Sequence, residues 1–143
     1  MVIWDFQEQL TRRLLFINIG NILSGVLMMT GKPFWRGLGM QAAGWGLVNI
    51  VIGVVGSRAA KRRSTAPDAN EAATLERETR GLRRLLLINA GLDILYMLGG
   101  WLFARGARPD DGLRRGNGWG IVVQGGLLFV FDLVHARMLR AGS

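Results

Sequence analysis

The residues of this sequence that could do chemistry are polar side chains set inside apolar stretches. Asp93 and Asp132 are the two acids in such stretches, and each has amide side chains nearby in the sequence. An unpaired carboxylate or amide is costly in hydrocarbon, so groups of this kind normally face the protein interior. Two carboxylates beside amides could bind a cation, hold a proton or accept a cationic ligand.

The spacing of the polar residues is three, four or eight, which places them on shared helical faces: Asn18 with Asn21, Asn89 with Asp93, Gln41 with Trp45 and Asn49, and Gln124 with Asp132. At about 1.5 Å per residue, four of them fall in one layer toward the same end of their helices, namely Asn21, Asn49, Asp93 and Asp132. We therefore predict an ion, proton or ligand site formed by Asp93, Asp132, Asn21, Asn49, Asn18, Asn89, Gln41, Gln124 and Trp45.

Residues for catalysis or tight metal binding are scarce. The chain has no cysteine, which excludes thiolate chemistry, disulfides and Cys-ligated metals. His135 is the only histidine, so neither a zinc nor a haem site is expected, and its place at the end of an apolar stretch suggests a solvated side chain. Ser24 is the only serine inside an apolar stretch. An intramembrane enzyme would lack its nucleophile, and we predict no catalytic residue, metal or cofactor.

Four apolar blocks dominate the chain, at residues 14–30, 38–56, 85–104 and 117–134. Each is close to the roughly 20 residues that a helix needs to cross about 30 Å of hydrocarbon. Buried helices of a soluble bundle would show a charged outer stripe, which these blocks lack. The pattern predicts an all-α membrane protein with four transmembrane helices and the lipid bilayer as its surroundings.

The basic residues lie at the ends of the apolar blocks, which argues against a nucleic-acid partner despite a net charge of +8. If four spans alternate, twelve of the 18 Lys and Arg residues fall on one side and six on the other. The positive-inside rule then places both termini and the central segment in the cytoplasm. Lys61, Arg62 and Arg63 in that segment could contact anionic lipid.

Two parts of the sequence repeat. R-R-L-L-F-I-N-I-G at 12–20 matches R-R-L-L-L-I-N-A-G at 83–91 in seven of nine positions. Gly37-x3-Gln41-x7-Asn49 then aligns with Gly120-x3-Gln124-x7-Asp132. We interpret this as duplication of a two-helix unit, giving two parallel helical hairpins in one four-helix bundle.

The predicted organisation is one membrane domain, 1–143, with repeat one at about 4–56, a cytoplasmic linker at about 57–82 and repeat two at about 83–140. Within the linker, D-A-N-E at 68–71 is typical of a helix start with Asp68 as N-cap. The duplication matches Asn21 and Asn49 with Asp93 and Asp132, so the predicted site is acidic in its second copy only.

The segments F-W-R-G-L-G-M-Q-A-A-G-W-G-L-V-N and N-G-W-G-I-V-V-Q-G-G-L-L-F-V-F-D, with the R-R-L-L-x-I-N-x-G repeat, cover most of the chain. Together they resemble a bacterial family of small four-span membrane proteins of unknown function. The resemblance implies a multi-pass protein of the bacterial inner (plasma) membrane. It implies no activity and no site residues.

Two functions remain open from the sequence. The first is a membrane protein with a polar, partly acidic intramembrane site that acts as a small transporter, channel component or ligand-binding module. Four spans are few for a transporter, so that role would favour a homodimer. The alternative is a structural or accessory subunit whose buried polar residues only lock the helix bundle.

Overall fold

Four long helices form the computed structural model, which describes residues 1–141. They are α1 (Ile3–Met28), α2 (Pro33–Ser64), α3 (Ala72–Arg105) and α4 (Gly112–Ala141). The helical fold predicted from the four apolar blocks is confirmed. The helices run past the blocks into the predicted linker, so that only residues 65–71 separate α2 from α3.

Three of the helices, α2, α3 and α4, are long and apolar enough to cross a membrane. The first helix, α1, is not among them. Its N-terminal half carries Asp5, Glu8, Arg12 and Arg13, so its apolar part is short and includes two asparagines. The structure therefore supports a multi-pass membrane protein on three helices, and the count of four spans stays a prediction.

The loop between α2 and α3 differs from its predicted form. Helix α3 begins at Ala72 with Glu71 in the N-cap position, so the prediction of Asp68 as N-cap is wrong. Asp68 instead accepts a hydrogen bond of 3.3 Å from the Thr74 hydroxyl. The Trp4 indole donates to the carbonyl oxygen of Ala69 at 3.2 Å, which holds the start of α1 beside this loop.

Glycines set the distances between the helices. A Cβ atom on Gly25 would lie 2.7 Å from the backbone oxygen of Gly39 in α2, and one on Gly118 would lie 2.5 Å from the Ala104 nitrogen in α3. These contacts hold α1 on α2 and α4 on α3. The pairs join where α2 meets α4, and there a Cβ on Gly120 would lie 2.6 Å from that of Gln41. Small residues allow this close approach of helix backbones.

The two hairpins pack alike, but not in the register of the sequence repeat. A Cβ on Gly46 would lie 3.1 Å from the carbonyl oxygen of Asn18, and a Cβ on Gly125 would lie 3.1 Å from that of Asp93. Asn18 and Asp93 thus occupy corresponding places in the two hairpins. The sequence repeat pairs Asn18 with Asn89, one helical turn earlier, so the duplication stays a prediction.

At the end of the bundle that holds the 65–71 loop, a small core of Ile3, Phe6, Leu86, Ala136 and Leu139 joins α1, α3 and α4. We call this the linker end. Helices α1 and α3 make few other contacts with each other. The bundle is therefore closed on one side by the start of α1, and a cavity remains beside α2 and α3.

We expect Gly25→Ala to lower the free energy of unfolding by about 1–3 kcal/mol, because the added methyl group meets the α2 backbone. Gly20→Ala is the matched control: it lies on the same helix, and its new methyl group would have nothing within 4 Å. Thermal unfolding in detergent compares the two variants. Equal melting temperatures would show that the α1–α2 contact is looser than described.

Candidate functional site

A cavity of about 720 Å³ lies in the half of the bundle nearer the linker end. Helices α2 and α3 supply most of its wall, and α1 and α4 contribute fewer residues. Aliphatic side chains are the largest group in the lining, and a polar and aromatic group includes Trp45, Asn49, Asn89, Asp93, Tyr96 and Asp132. An apolar cavity with a few converging polar groups is the usual form of a small-molecule site.

The two acids of this wall face each other. Asp93 is 3% exposed and Asp132 is 7% exposed, and their carboxyl groups lie within hydrogen-bonding reach of one another. An ionised carboxylate has no hydrogen to donate, so a hydrogen bond between the two needs a proton on one of them. The geometry therefore suits a pair of acids that hold one proton between them.

The acid pair has no basic partner in the described part of the chain. The ion pairs there involve Glu76, Glu78 and Asp110 instead. Among residues 1–141, no amide, hydroxyl or basic group donates a hydrogen bond to the Oδ2 atom of Asp93, which is buried. The hydrogen that satisfies this oxygen must therefore come from a proton held with Asp132 or from a ligand.

Two aromatic rings line the same cavity as the acids. The ring centroids of Trp45 and Tyr96 are 5.4 Å apart, with an interplanar angle of 53°. The Trp45 indole donates a hydrogen bond of 3.2 Å to Gln41, which fixes the orientation of the ring. Aromatic rings near a carboxyl pair are suited to a cationic group, because the ring face attracts positive charge.

Asn49 is the one predicted residue that belongs to both the cavity and the helix contacts. Its amide nitrogen donates to the side-chain oxygen of Asn18 at 3.1 Å, and Asn18 donates to the carbonyl oxygen of Leu14 at 2.8 Å. This chain of hydrogen bonds joins α2 to α1. Asn18 is 2% exposed and does not line the cavity.

The remaining amides pair between helices. Asn21 of α1 and Gln124 of α4 exchange two hydrogen bonds, one of them 3.0 Å from the Gln124 nitrogen to the Asn21 oxygen. Gln41 of α2 donates to the side-chain oxygen of Asn117 in α4 at 2.9 Å. These residues satisfy each other and lie outside the cavity wall.

The nine predicted site residues thus fall into two groups. Those that line the cavity are Trp45, Asn49, Asn89, Asp93 and Asp132, and those that only join helices are Asn18, Asn21, Gln41 and Gln124. The expected polar layer loses one member, because Asn21 is turned toward α4.

Three further lining residues were not among the predicted site residues, although Arg63 was predicted as a lipid contact. Tyr96 lies three residues after Asp93, a spacing that places both on one helical face and could have suggested it. Arg63 and Glu78 form an ion pair of 3.1 Å in the linker-end part of the cavity wall. They belong to different helices and no spacing rule connects them, so the sequence had no signal for this pair.

His135 is buried rather than solvated, so the expectation for it was wrong. It is 5% exposed, its Nδ1 donates to the carbonyl oxygen of Phe131 at 2.6 Å, and its Nε2 accepts from Arg13 at 3.2 Å. The first half of α1 covers this end of α4 and supplies both Arg13 and the Phe6 ring, 6.1 Å from the imidazole. The His135 imidazole is not part of the cavity wall.

Residues 13–133 match a family whose description is a family of unknown function, DUF6992. No curated protein matches the chain, and no solved structure matches it. Within residues 1–141, no cluster of three or more His, Cys, Asp or Glu side chains is placed to hold a metal ion.

Two neighbouring leucines test whether the cavity holds water. Leu128 lines the cavity, whereas Leu127 is 49% exposed on the outer surface of α4. In detergent or lipid, we expect Leu128→Cys to react with a small water-soluble methanethiosulfonate more than about tenfold faster than Leu127→Cys, because a thiol surrounded by hydrocarbon does not ionise. The chain has no other cysteine to react. Equal rates would argue against an accessible cavity.

Proposed function

We propose that this chain, which belongs to the DUF6992 family of unknown function, is a membrane protein that binds an amphiphilic ligand in the cavity of Asp93 and Asp132. The ligand's polar group lies against the acid pair and its apolar part lies along the aliphatic wall. Transport or channel activity would build on this binding step.

One observation carries the proposal: Asp93 and Asp132 form a buried acid pair among the lining residues of a 720 Å³ cavity, and no amide, hydroxyl or basic group of the described residues donates to the Oδ2 atom of Asp93. The amides of the bundle show what a purely locking role looks like, because Asn21 and Gln124 each donate one hydrogen bond to the other across a helix contact. An ionisable group inside a membrane segment that is left open toward a cavity is typical of a functional site.

The rest of the wall defines the kind of ligand. Aliphatic side chains of α1, α2 and α3 line the sides, including Leu14, Ile52 and Leu85. The ion pair of Arg63 and Glu78 stands at the linker end, farther along the helices from the acids. A molecule with a polar group at the acids and an apolar body along the aliphatic side chains matches this wall.

The proposed membrane arrangement has four spans, with two parallel hairpins and both termini in the cytoplasm of a bacterium, in its inner membrane. Support for α1 as a span comes from its packing at both ends. Gly25 contacts the N-terminal part of α2, and Trp4 donates a hydrogen bond to Ala69 at the linker end. Helix α1 thus runs along the length of a membrane helix.

Two partners belong to this arrangement. Lys61, Arg62 and Arg63 form the last turn of α2, and there they would meet the anionic headgroups of the cytoplasmic leaflet. A homodimer is the oligomer we propose for a transporter role, because four helices alone provide little wall for a transport pathway.

The topology is tested with single cysteines at three exposed positions. Val2 lies before α1, Asn70 lies in the 65–71 loop, and Asp110 lies in the loop before α4. In intact bacterial cells, we expect a membrane-impermeant maleimide to label Asp110→Cys and to spare Val2→Cys and Asn70→Cys until the cells are opened, because the basic linker stays inside. Labelling of Val2→Cys but not Asn70→Cys in intact cells would contradict four spans.

Ligand binding is tested by filling the cavity. Gly56 lines it, and a Cβ atom added there would have nothing within 4 Å, so Gly56→Leu should fold while occupying the ligand's space. Gly44→Leu is the control, since a Cβ atom added to Gly44 would also have nothing within 4 Å, but Gly44 lies outside the cavity wall. The probes are dodecyl chains with ammonium, trimethylammonium, sulfate or phosphocholine headgroups, added to protein in maltoside detergent.

We expect at least one probe to raise the melting temperature of the native chain and of Gly44→Leu, and to lose its effect on Gly56→Leu. A ligand at 100 times its Kd stabilises by about 2.7 kcal/mol, which is readily measured. The alternative function is a structural subunit whose polar residues only lock the bundle, and the three interhelical amide contacts favour it. It requires that no probe binds in the cavity. In that case no probe distinguishes Gly56→Leu from the native chain.

A further inference from the structure

We propose, on the basis of the function proposed above, that the ligand is a lipophilic monocation and that it replaces a proton held between Asp93 and Asp132. The acid pair is then an exchange site, occupied by a proton in the free protein and by the cationic group of the ligand in the complex.

The arrangement of the wall favours a cation over an anion or a neutral polar group. Two buried carboxyl groups face each other, and the rings of Trp45 and Tyr96 stand in the same part of the wall. A cation gains from both, through charge attraction to the acids and through the ring faces. An anion would be repelled by the pair.

The same wall favours an organic cation over a bare metal ion. Sodium, calcium or magnesium ions need a shell of several oxygen ligands. Here the acids share the wall with apolar side chains, Leu92, Leu128 and Phe131 among them, and with few other oxygen ligands. A cation that is itself covered by carbon atoms loses little hydration on entry and gains apolar contact.

The exchange balances in charge and atoms. Before binding, one carboxylic acid donates its hydrogen to the other carboxylate, and the pair bears a single negative charge. When the cation enters, the O–H bond breaks, its electron pair stays on the carboxylate oxygen, and the proton leaves to water through the cavity. Two carboxylates and one cation again bear a single negative charge. The free-energy cost of burying charge is therefore similar in the free protein and in the complex.

Few other charged groups face the pair. From α2 the cavity receives Arg63, and from α3 it receives Arg77, Glu78 and Tyr96, with Arg63 and Glu78 paired to each other. Helix α1 contributes only uncharged lining residues. On α4, His135 lies one turn from Asp132 and contacts Arg13 of α1 rather than the acids. The proton exchanged is therefore assigned to the acid pair.

The experiment uses two ions of equal shape and opposite charge, tetraphenylphosphonium and tetraphenylborate, with the full chain in maltoside detergent. Calorimetric titration is run at one pH in phosphate and in Tris, whose protonation enthalpies differ. We expect tetraphenylphosphonium to bind with a buffer-dependent enthalpy equivalent to about one proton released per cation. Tetraphenylborate should bind at least about tenfold more weakly.

Variants connect the released proton to the pair. Asp93→Asn and Asp132→Asn each leave one carboxylate beside an amide that can donate to it, so both should fold and bind tetraphenylphosphonium without releasing a proton. Tyr96→Phe, which removes the other titratable group of the polar wall, should release the same proton as the native chain.

The outcomes separate this proposal from the one it rests on. Equal binding of both ions would overturn the cation preference and leave amphiphile binding standing. Cation binding without proton release, or stabilisation by sodium ions with no effect of tetraphenylphosphonium, would overturn the exchange. Failure of every dodecyl probe as well as of tetraphenylphosphonium would overturn the ligand-binding function itself.

Discussion

The direct contact between the backbones of α2 and α4 is the constraint on which the rest of the bundle depends. Side chains on Gly37 or Gly116 would collide with carbonyl oxygens of the facing helix, those of Leu113 and Phe34. The two hairpins therefore meet at the end opposite the linker. Toward the linker end, Gly53 of α2 packs on Leu14 of α1 instead, and the space beside α2 and α3 stays unfilled.

The polar groups of the bundle divide according to this geometry. Where helices touch, side-chain amides form hydrogen bonds with each other, and these bonds offset the free-energy cost of burying polar groups. Where the helices separate, two buried acids are among the lining residues of the cavity, and no amide, hydroxyl or basic group of the described residues donates to the Oδ2 atom of Asp93. Close packing at one end thus produces both the stable contacts and, at the other end, an open space with chemistry in its wall.

The sequence predicted the number and order of the helices, because each apolar block falls on one helix, but it did not predict their length, since the helices continue into the charged flanks. It also predicted that the polar residues face inward, since hydrocarbon permits little else. It did not predict which of them meet. Asn21 and Gln124 lie 103 positions apart, and their pairing depends on how two helices rotate against each other.

The register of the hairpins shows the same limit. A repeat in sequence aligns residues, whereas packing aligns the glycines that touch carbonyl groups, and in this chain the two alignments differ by one turn. The displacement brings Asp93 to the place that Asn18 holds in the first hairpin. Likewise, nothing near His135 in the sequence foretold Arg13, which comes from a helix 122 positions away.

The hydrogen bond from Trp4 to Ala69 has a consequence for the order of assembly. The partner of Trp4 is made 65 residues later, and the other residues that cover Phe6 follow in α3 and α4. During synthesis, Ile3 and Phe6 at the start of α1 therefore stay unpacked until α3 and α4 have been made. The cavity acquires its α3 and α4 walls only then, so the first hairpin on its own would expose the apolar side chains of α1 and α2 that line the cavity in the complete bundle.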